Sequence, residues 1–433
     1  MTGRRIAPSA RTVGIAASVV ALLALGACTS SGRVGESPAA HNSSVPGTSK
    51  PPATSTPVAQ PAVITTSATA TTKISPAKPV SVQIAHGRLT SVTMTNPAGK
   101  KVTGALNDDG TSWHNTEDLG YSKTYKILAA GVDETGKPTT LTASVTTLTP
   151  DNQTMPYLQR IGGYPLGSDQ TYGVAIVPVV HFDEPIPNKA AAEKALIVTT
   201  TPHVNGSWYW ADSQDVHFRP ENYWPSGTKV TITAKVYGKD LGDGLYGQSD
   251  VSTSFTIGRK QLTVAYDTAP KSVNKVRVYN AAGNVIRTMN TSMGQHGGEE
   301  VNGNWINFYT LDGDYTVLAH EQPANMCSDS YGLPANAPGG YACEAIYNAT
   351  KISIDGIYLH ELLTTIWAQD NGADVSHGCL NLNASNSLWF FDHSMIGDPV
   401  VIHGAKGAPK IQLWQGGDWS VPWSQWLAGS ALH

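Results

Sequence analysis

The strongest constraint on how this chain folds is a series of short runs in which apolar residues occupy every second position, each closed by a turn signal. Val230, Ile232, Ala234 and Val236 alternate within residues 228–236, residues 141–148 and 253–257 follow the same rule, and Asn107-Asp108-Asp109-Gly110 is typical of the breaks between runs. Successive side chains on a strand point to opposite faces, so such runs bury one face and wet the other, and strands this short close a core by packing two sheets together. Gly (42) and Pro (27) are plentiful, charged residues make up 14% of the chain, and Tyr (17) and Trp (11) outnumber Phe (6), all of which suits turn-rich β structure. The predicted class is mainly β. A net charge of -4 without a dense Lys/Arg cluster leaves no footprint for a polyanion, so no nucleic-acid partner is expected.

At 433 residues the chain is long enough for several domains. Arg4, Arg5 and Arg11 lead into an uncharged stretch over 13–27, short for a spanning helix, which needs about 20 apolar residues. Residues 1–27 therefore read as a signal peptide. The sequence Leu25-Gly26-Ala27-Cys28 resembles a bacterial lipobox, which would make Cys28 a lipidation site and tether an exported protein to the outer face of the cytoplasmic membrane; an ordinary secretory signal is the alternative. Residues 28–79 are Ser, Thr, Pro and Ala with few aromatics, the composition of a disordered linker that holds the folded part away from the membrane. Residues 80–149 and 150–258 read as two tandem Ig-like β-sandwich domains, with 143–147 and 252–256 as similar closing strands. Here His181, Asp183 and Glu184 cluster without ligand spacing and read as loop residues. Residues 259–404 form a third, again mainly β, unit with one amphipathic helix, capped by Asn383 or Ser385 and presenting Leu388, Phe391 and Met395 on one face. The tail, 405–433, carries Trp414, Trp419, Trp423 and Trp426, which are expected to pack on the folded core.

The densest chemistry lies in the third unit: Tyr358-Leu359-His360, and further on Ser376-His377-Gly378-Cys379-Leu380-Asn381. Of the four cysteines, Cys28 is assigned to lipid, and Cys327 and Cys343 share a Gly/Pro-rich stretch in which an exported protein can form a disulfide; whether they are joined is left open by the sequence. Cys379 remains as a free thiol. A cysteine nucleophile needs an imidazole or positive potential to generate thiolate, and donors to hold an oxyanion. His360 and His377 are candidates for the first task, and the Cys379 amide, beside Gly378 and ahead of a predicted helix, for the second.

This arrangement resembles the active-site signature of the L,D-transpeptidases, the YkuD family, and the order of lipobox, Ig-like modules and catalytic unit is similar to the mycobacterial type. The resemblance implies a β-sandwich catalytic domain with Cys379 as nucleophile, His360 as base, His377 and Gly378 shaping the pocket, and Ser376, Asn381 and Glu361 among the oxyanion- or substrate-binding residues. It further implies that Tyr331 and Tyr341 belong to a lid over the site. The expected reaction is acylation of Cys379 by a tetrapeptide stem with release of D-Ala, followed by attack from a diaminopimelate side-chain amine on an acceptor stem, giving a 3→3 cross-link. Carbapenem β-lactams are the expected covalent inhibitors. Neither cofactor nor metal is expected, since no His-Glu-x-x-His or comparable spacing occurs. Two departures stand out: Glu361 replaces a usual Ser after the base, and Thr310-Leu311-Asp312-Gly313 replaces a Thr-Pro-x-Gly segment. The alternatives are an L,D-carboxypeptidase using the same thiol, and a non-catalytic cell-wall-binding lipoprotein whose thiol site has degenerated at Glu361.

Overall fold

Burial follows the period-two alternation. In the strand Lys229–Ala234, Val230, Ile232 and Ala234 are buried, while Thr231 and Thr233 face outward and pair hydroxyls with Ser254 (2.7 Å) and Ser252 (2.8 Å) on Val251–Ile257. Each Val or Ile side chain so buried is worth roughly 1.5–3 kcal/mol. The computed structural model describes residues 60–432. The signal peptide, the lipidation site Cys28 and the linker as far as residue 59 lie outside the described residues.

The linker assigned over 28–79 is corrected at its end. Val63–Thr66 pairs antiparallel with Ser81–Ala85, Lys73–Ile74 pairs parallel with Pro138–Thr147, and Ile64, Ala68 and Ile74 are buried. The first Ig-like sandwich thus begins before residue 80. The sparse apolar residues of this stretch gain their burial from strands far along the chain, which composition does not reveal. Its two four-stranded sheets enclose Val82, Trp113, Ile127 and Val145. The second sandwich, a five-stranded on a four-stranded sheet, surrounds Phe182, Trp208, Trp210, Phe218 and Trp224. Both units use one corner device: the Gly120 N–H donates to the Tyr125 hydroxyl (2.7 Å) and the Gly167 N–H to that of Tyr172 (2.9 Å). His181 is not a loop residue, as read from sequence, but lies on the strand Pro178–Phe182 with Nδ1 2.8 Å from Asp215.

The third unit is also a two-sheet sandwich. One sheet runs in the order Val285–Thr291, Asn274–Tyr279, Leu262–Tyr266, Pro399–His403, Gly313–Thr316; the other runs Ala319–Glu321, Ala349–Lys351, Tyr358–Glu361, Leu380–Leu382. Val276, Val278, Ala265, Val400 and Ile402 from the first meet Leu359, Leu380 and Leu382 from the second in a common core. The predicted helix is present over Ala384–His393 with Asn383 as its cap. The face predicted from helical spacing is not the buried one: Leu388 is 47% exposed, whereas Ser387 and Phe390 are buried. In the run Leu388-Trp389-Phe390-Phe391 several faces look equally apolar, and the strand beneath selects Phe390. A further helix, Ile366–Asn371, precedes the cysteine motif without having been anticipated.

The tail binds mainly to the second sandwich. Trp426 is fully buried, stacks on Tyr209 at 4.8 Å and donates its indole N–H to the Ser207 carbonyl at 2.9 Å. The Arg219 guanidinium lies over Trp426 and Trp419 at 4.3 and 4.8 Å, and the buried pair His217 and Asp418 is 2.6 Å apart. Trp414 departs from the expected packing and is 67% exposed. Truncating the anchor should be costly: Trp426→Ala is expected to destabilise the chain by about 3–5 kcal/mol, read as a fall in the urea midpoint at constant m, and a loss under about 1 kcal/mol would show that the tail does not hold to the sandwich through this residue.

Candidate active site

Strand alternation assembles the site. Leu359, Leu380 and Leu382 point into the core, so the flanking Tyr358, His360, Cys379 and Asn381 are turned to the opposite face. Tyr358–Glu361 and Leu380–Leu382 pair in parallel, with Leu359 opposite Leu380 and His360 opposite Asn381. Residues distant in sequence therefore share one wall of a cavity of about 1200 Å³, which Tyr358, His360, Cys379 and Asn381 all line.

The loop carrying the thiol is closed by its own hydrogen bonds. The Ser376 hydroxyl donates to the Cys379 carbonyl (2.6 Å) and accepts from the Gly378 N–H (3.1 Å), and the Thr310 hydroxyl donates to the Gly378 carbonyl (2.9 Å) while accepting from the Gly294 N–H (2.8 Å). Gly378 adopts φ 129°, a conformation that side-chain-bearing residues avoid. Ser376, expected as a substrate contact, is thus occupied in holding the turn. Thr310 was noticed in the sequence only as part of an altered segment; its role emerges once two loops meet across it. Leu380–Leu382 is a strand, so the helix begins only after Asn383 and its dipole does not act on the Cys379 amide as the sequence reading supposed.

His360 is buried, and its Nδ1 lies 3.0 Å from the Glu361 backbone carbonyl. A carbonyl only accepts, so Nδ1 carries the proton and Nε2 keeps its lone pair. The Glu361 carboxylate turns elsewhere and accepts from the Asn348 amide at 2.8 Å. Glu361 therefore contributes its main chain rather than the substrate-binding side chain expected of it, and the replacement of Ser leaves the orientation of the imidazole intact. The thiol donates to the Gly356 carbonyl, 3.6 Å away. Burial pushes Cys379 up to about 12 and His360 down to about 4. This corrects the expectation of a thiol acidified by its imidazole neighbours: at rest both groups are neutral, because desolvation disfavours thiolate and imidazolium alike.

Opposite the thiol lies the lid. Ala324–Met326 and Glu344–Ile346 form a two-stranded ladder, extended by a disulfide between Cys327 and Cys343, and the Ser328 hydroxyl both donates to the Tyr341 carbonyl and accepts from its N–H at 2.9 Å. Tyr331 and Tyr341 reach down to the His377 ring, with centroids at 6.0 and 5.6 Å. Burial raises both phenols, so they stay protonated as donors, and lowers His377. The Tyr331 hydroxyl, His377 Nε2 and both polar atoms of the Asn381 amide are buried without a hydrogen-bond partner, and all three residues line the cavity. Buried polar groups are rarely left unpaired, and three around one cavity mark where a polar ligand would complete them. The exposed rings of Trp305 and Trp414 also line it, and neither was singled out from sequence for this place.

Residues 71–240 match the family model described as bacterial Ig domain, and residues 271–402 the L,D-transpeptidase catalytic domain. L,D-transpeptidase 2 of Mycobacterium tuberculosis (strain CDC 1551 / Oshkosh) is 37% identical over 353 residues, covering 82% of this chain and 81% of that protein. L,D-transpeptidase 5 of Mycobacterium tuberculosis (strain ATCC 25618 / H37Rv) is 34% identical over 367 residues, covering 83% and 74%. A crystal structure of L,D-transpeptidase 3 from Mycobacterium tuberculosis in complex with a faropenem-derived adduct aligns over 57% of this chain and 98% of that one, at 27% identity and a TM-score of 0.42.

The raised thiol pKa has a direct readout. Alkylation of Cys379 by iodoacetamide should be slower than that of free cysteine and rise about tenfold per pH unit from about pH 6 to about pH 10, without a plateau. A rate that is already level at neutral pH would mean that a thiolate–imidazolium pair exists at rest.

Proposed function

This chain belongs to the L,D-transpeptidase family, and on that premise we propose that it cross-links peptidoglycan stem peptides by two acyl transfers through Cys379, with His360 as the base. The observation that carries the proposal is that the imidazole, on one strand, and the thiol, directly ahead of the parallel strand paired with it, line one cavity, with the Nδ1 proton of His360 tied to the Glu361 carbonyl.

In the first step Sγ attacks the carbonyl carbon of the third residue of a donor tetrapeptide, and its proton passes to Nε2 of His360. Because both partners begin neutral, transfer accompanies attack rather than preceding it, and a positioned base of this kind contributes typically about 10²–10⁴-fold. The oxyanion takes hydrogen bonds from the Cys379 amide and a lid phenol, Tyr341 or Tyr331. His360 then gives its proton to the departing D-Ala amine, and the acyl group remains on sulfur as a thioester. In the second step the side-chain amine of diaminopimelate on an acceptor stem attacks, Nε2 takes the amine proton and returns it to sulfur, and the 3→3 amide is released. His377 and Asn381 stand beside the reacting atoms with polar atoms free to bind the stem peptides. A β-lactam carbonyl presents the same electrophile, and carbapenems are proposed as covalent inhibitors on that chemistry.

The same reading places the enzyme outside the cytoplasmic membrane, tethered through lipid on Cys28, on the strength of the Leu25-Gly26-Ala27-Cys28 sequence. The Cys327–Cys343 disulfide fits an oxidising compartment.

Incubated with disaccharide tetrapeptide, the wild type should yield 3→3 dimers by mass spectrometry and Cys379→Ala none; an equal dimer yield from the variant would remove Cys379 as nucleophile. Release of tripeptide monomer without dimer would instead identify water as the acceptor. Glu361→Gln should lower kcat/KM by less than about threefold, an effect under about 1 kcal/mol, since only its carbonyl serves the imidazole.

A further inference from the structure

On the flank of the catalytic unit, three side chains from separate segments converge: Asp267 directly after Leu262–Tyr266, His296 in the Gly-rich turn, and Asp374 just ahead of Ser376. His296 Nε2 lies 3.1 Å from Asp267 Oδ2 and 3.6 Å from Asp374 Oδ2, and the three ligand atoms lie within 4.8 Å of one another. The carboxylate side chains are 0% and 5% exposed, while the imidazole, at 35%, opens to solvent.

The hydrogen bonds leave this cluster short of positive charge. One Nε2–H can serve one oxygen, and Asp267 Oδ2 is the nearer; at 3.6 Å Asp374 Oδ2 is beyond a hydrogen bond and is buried without a partner, as is Asp267 Oδ1. Two buried carboxylates side by side with a single donor between them is an unfavourable arrangement. The remainder is preorganised. Asp374 Oδ1 accepts from the Met293 N–H (2.6 Å) and the Asn274 amide (2.9 Å), and the His296 ring lies flat on Tyr309, 5.4 Å between centroids at 6°. Zinc bound at about 2.0–2.2 Å in a tetrahedron separates its ligand atoms by about 3.3–3.6 Å, close to both imidazole–carboxylate distances.

We propose that Asp267, His296 and Asp374 form a divalent-metal site, suited to zinc, with one histidine nitrogen, two carboxylate oxygens and a fourth position for water. The site is separate from the thiol chemistry, and its role is to lock the approach to the cysteine loop. The Gln295 N–H donates to the Ser376 carbonyl (2.8 Å) and the Ser376 N–H to the Met293 carbonyl (3.1 Å), so an ion joining His296 to Asp374 would clamp both ends of this short ladder at the base of the loop that holds Cys379. The inference stands whether or not the proposed reaction is correct.

The test is calorimetric titration of the chelator-stripped chain with zinc chloride, alone and in the His296→Gln, Asp267→Asn and Cys379→Ser variants, each first checked for an unchanged Tm without metal. One saturable equivalent is expected, with Tm rising as the logarithm of free zinc above Kd, and with affinity weakened at least about tenfold in His296→Gln and Asp267→Asn and unchanged in Cys379→Ser. X-ray absorption of the loaded protein should show nitrogen and oxygen ligands without sulfur. No saturable binding by the wild type, binding lost in Cys379→Ser yet kept in His296→Gln, or a sulfur ligand would each overturn the proposal.

Discussion

The parallel pairing of Tyr358–Glu361 with Leu380–Leu382 is the constraint on which the site depends. Its register is held by leucines: Leu359 and Leu380 face each other with their side chains in the core, and Leu382 follows. A slip of one residue on either strand would expose a leucine and bury a catalytic group, so the hydrophobic effect, rather than any attraction between thiol and imidazole, keeps the two groups on one face. This matters because the resting site has no ion pair to hold it together. Burial raises Cys379 and lowers His360, which favours the neutral form of each.

Around that pair the protein leaves specific polar atoms without partners. Asn381, His377 and Tyr331 each carry a buried, unpaired group toward the cavity, whereas Ser376 and Thr310 are saturated by backbone and hold the loop. The distinction separates residues that position the site from those that await a ligand. The lid depends on the same division: its disulfide and the double hydrogen bond between Ser328 and Tyr341 fix its frame, leaving the tyrosine hydroxyls to face the thiol side. The second Ig-like sandwich and the tail form a base for this unit. Backbone bonds from Gly173 and Ala175 to Ile396 and Gly397, each 2.7 Å, join the second sandwich to the segment between the helix Ala384–His393 and the strand Pro399–His403.

Much was legible in the sequence. The mainly β class followed from period-two burial, which is local, and the proposed pair of Cys379 and His360 rests on residue types whose chemistry is independent of the rest of the chain. The failures have a shared physical origin. Composition reads Val63–Thr66 as linker because its stabilisation lies in a partner strand; four apolar residues in a row carry no phase, so spacing does not fix the helix face; and proximity of imidazole in sequence says nothing of desolvation. The Asp267, His296 and Asp374 cluster has no ligand spacing at all, since three loops supply one side chain each.

By itself the sequence determined the strand alternation, the free thiol at Cys379, the two histidines and the glycine beside the thiol, all of which are properties of one residue and its immediate neighbours. Only the tertiary structure decided which carbonyl orients His360, that Cys327 and Cys343 are joined, which polar groups are left unpaired and that the thiol and imidazole rest uncharged. Those outcomes depend on burial and on distances between segments remote along the chain, quantities that exist only after the sheets have packed.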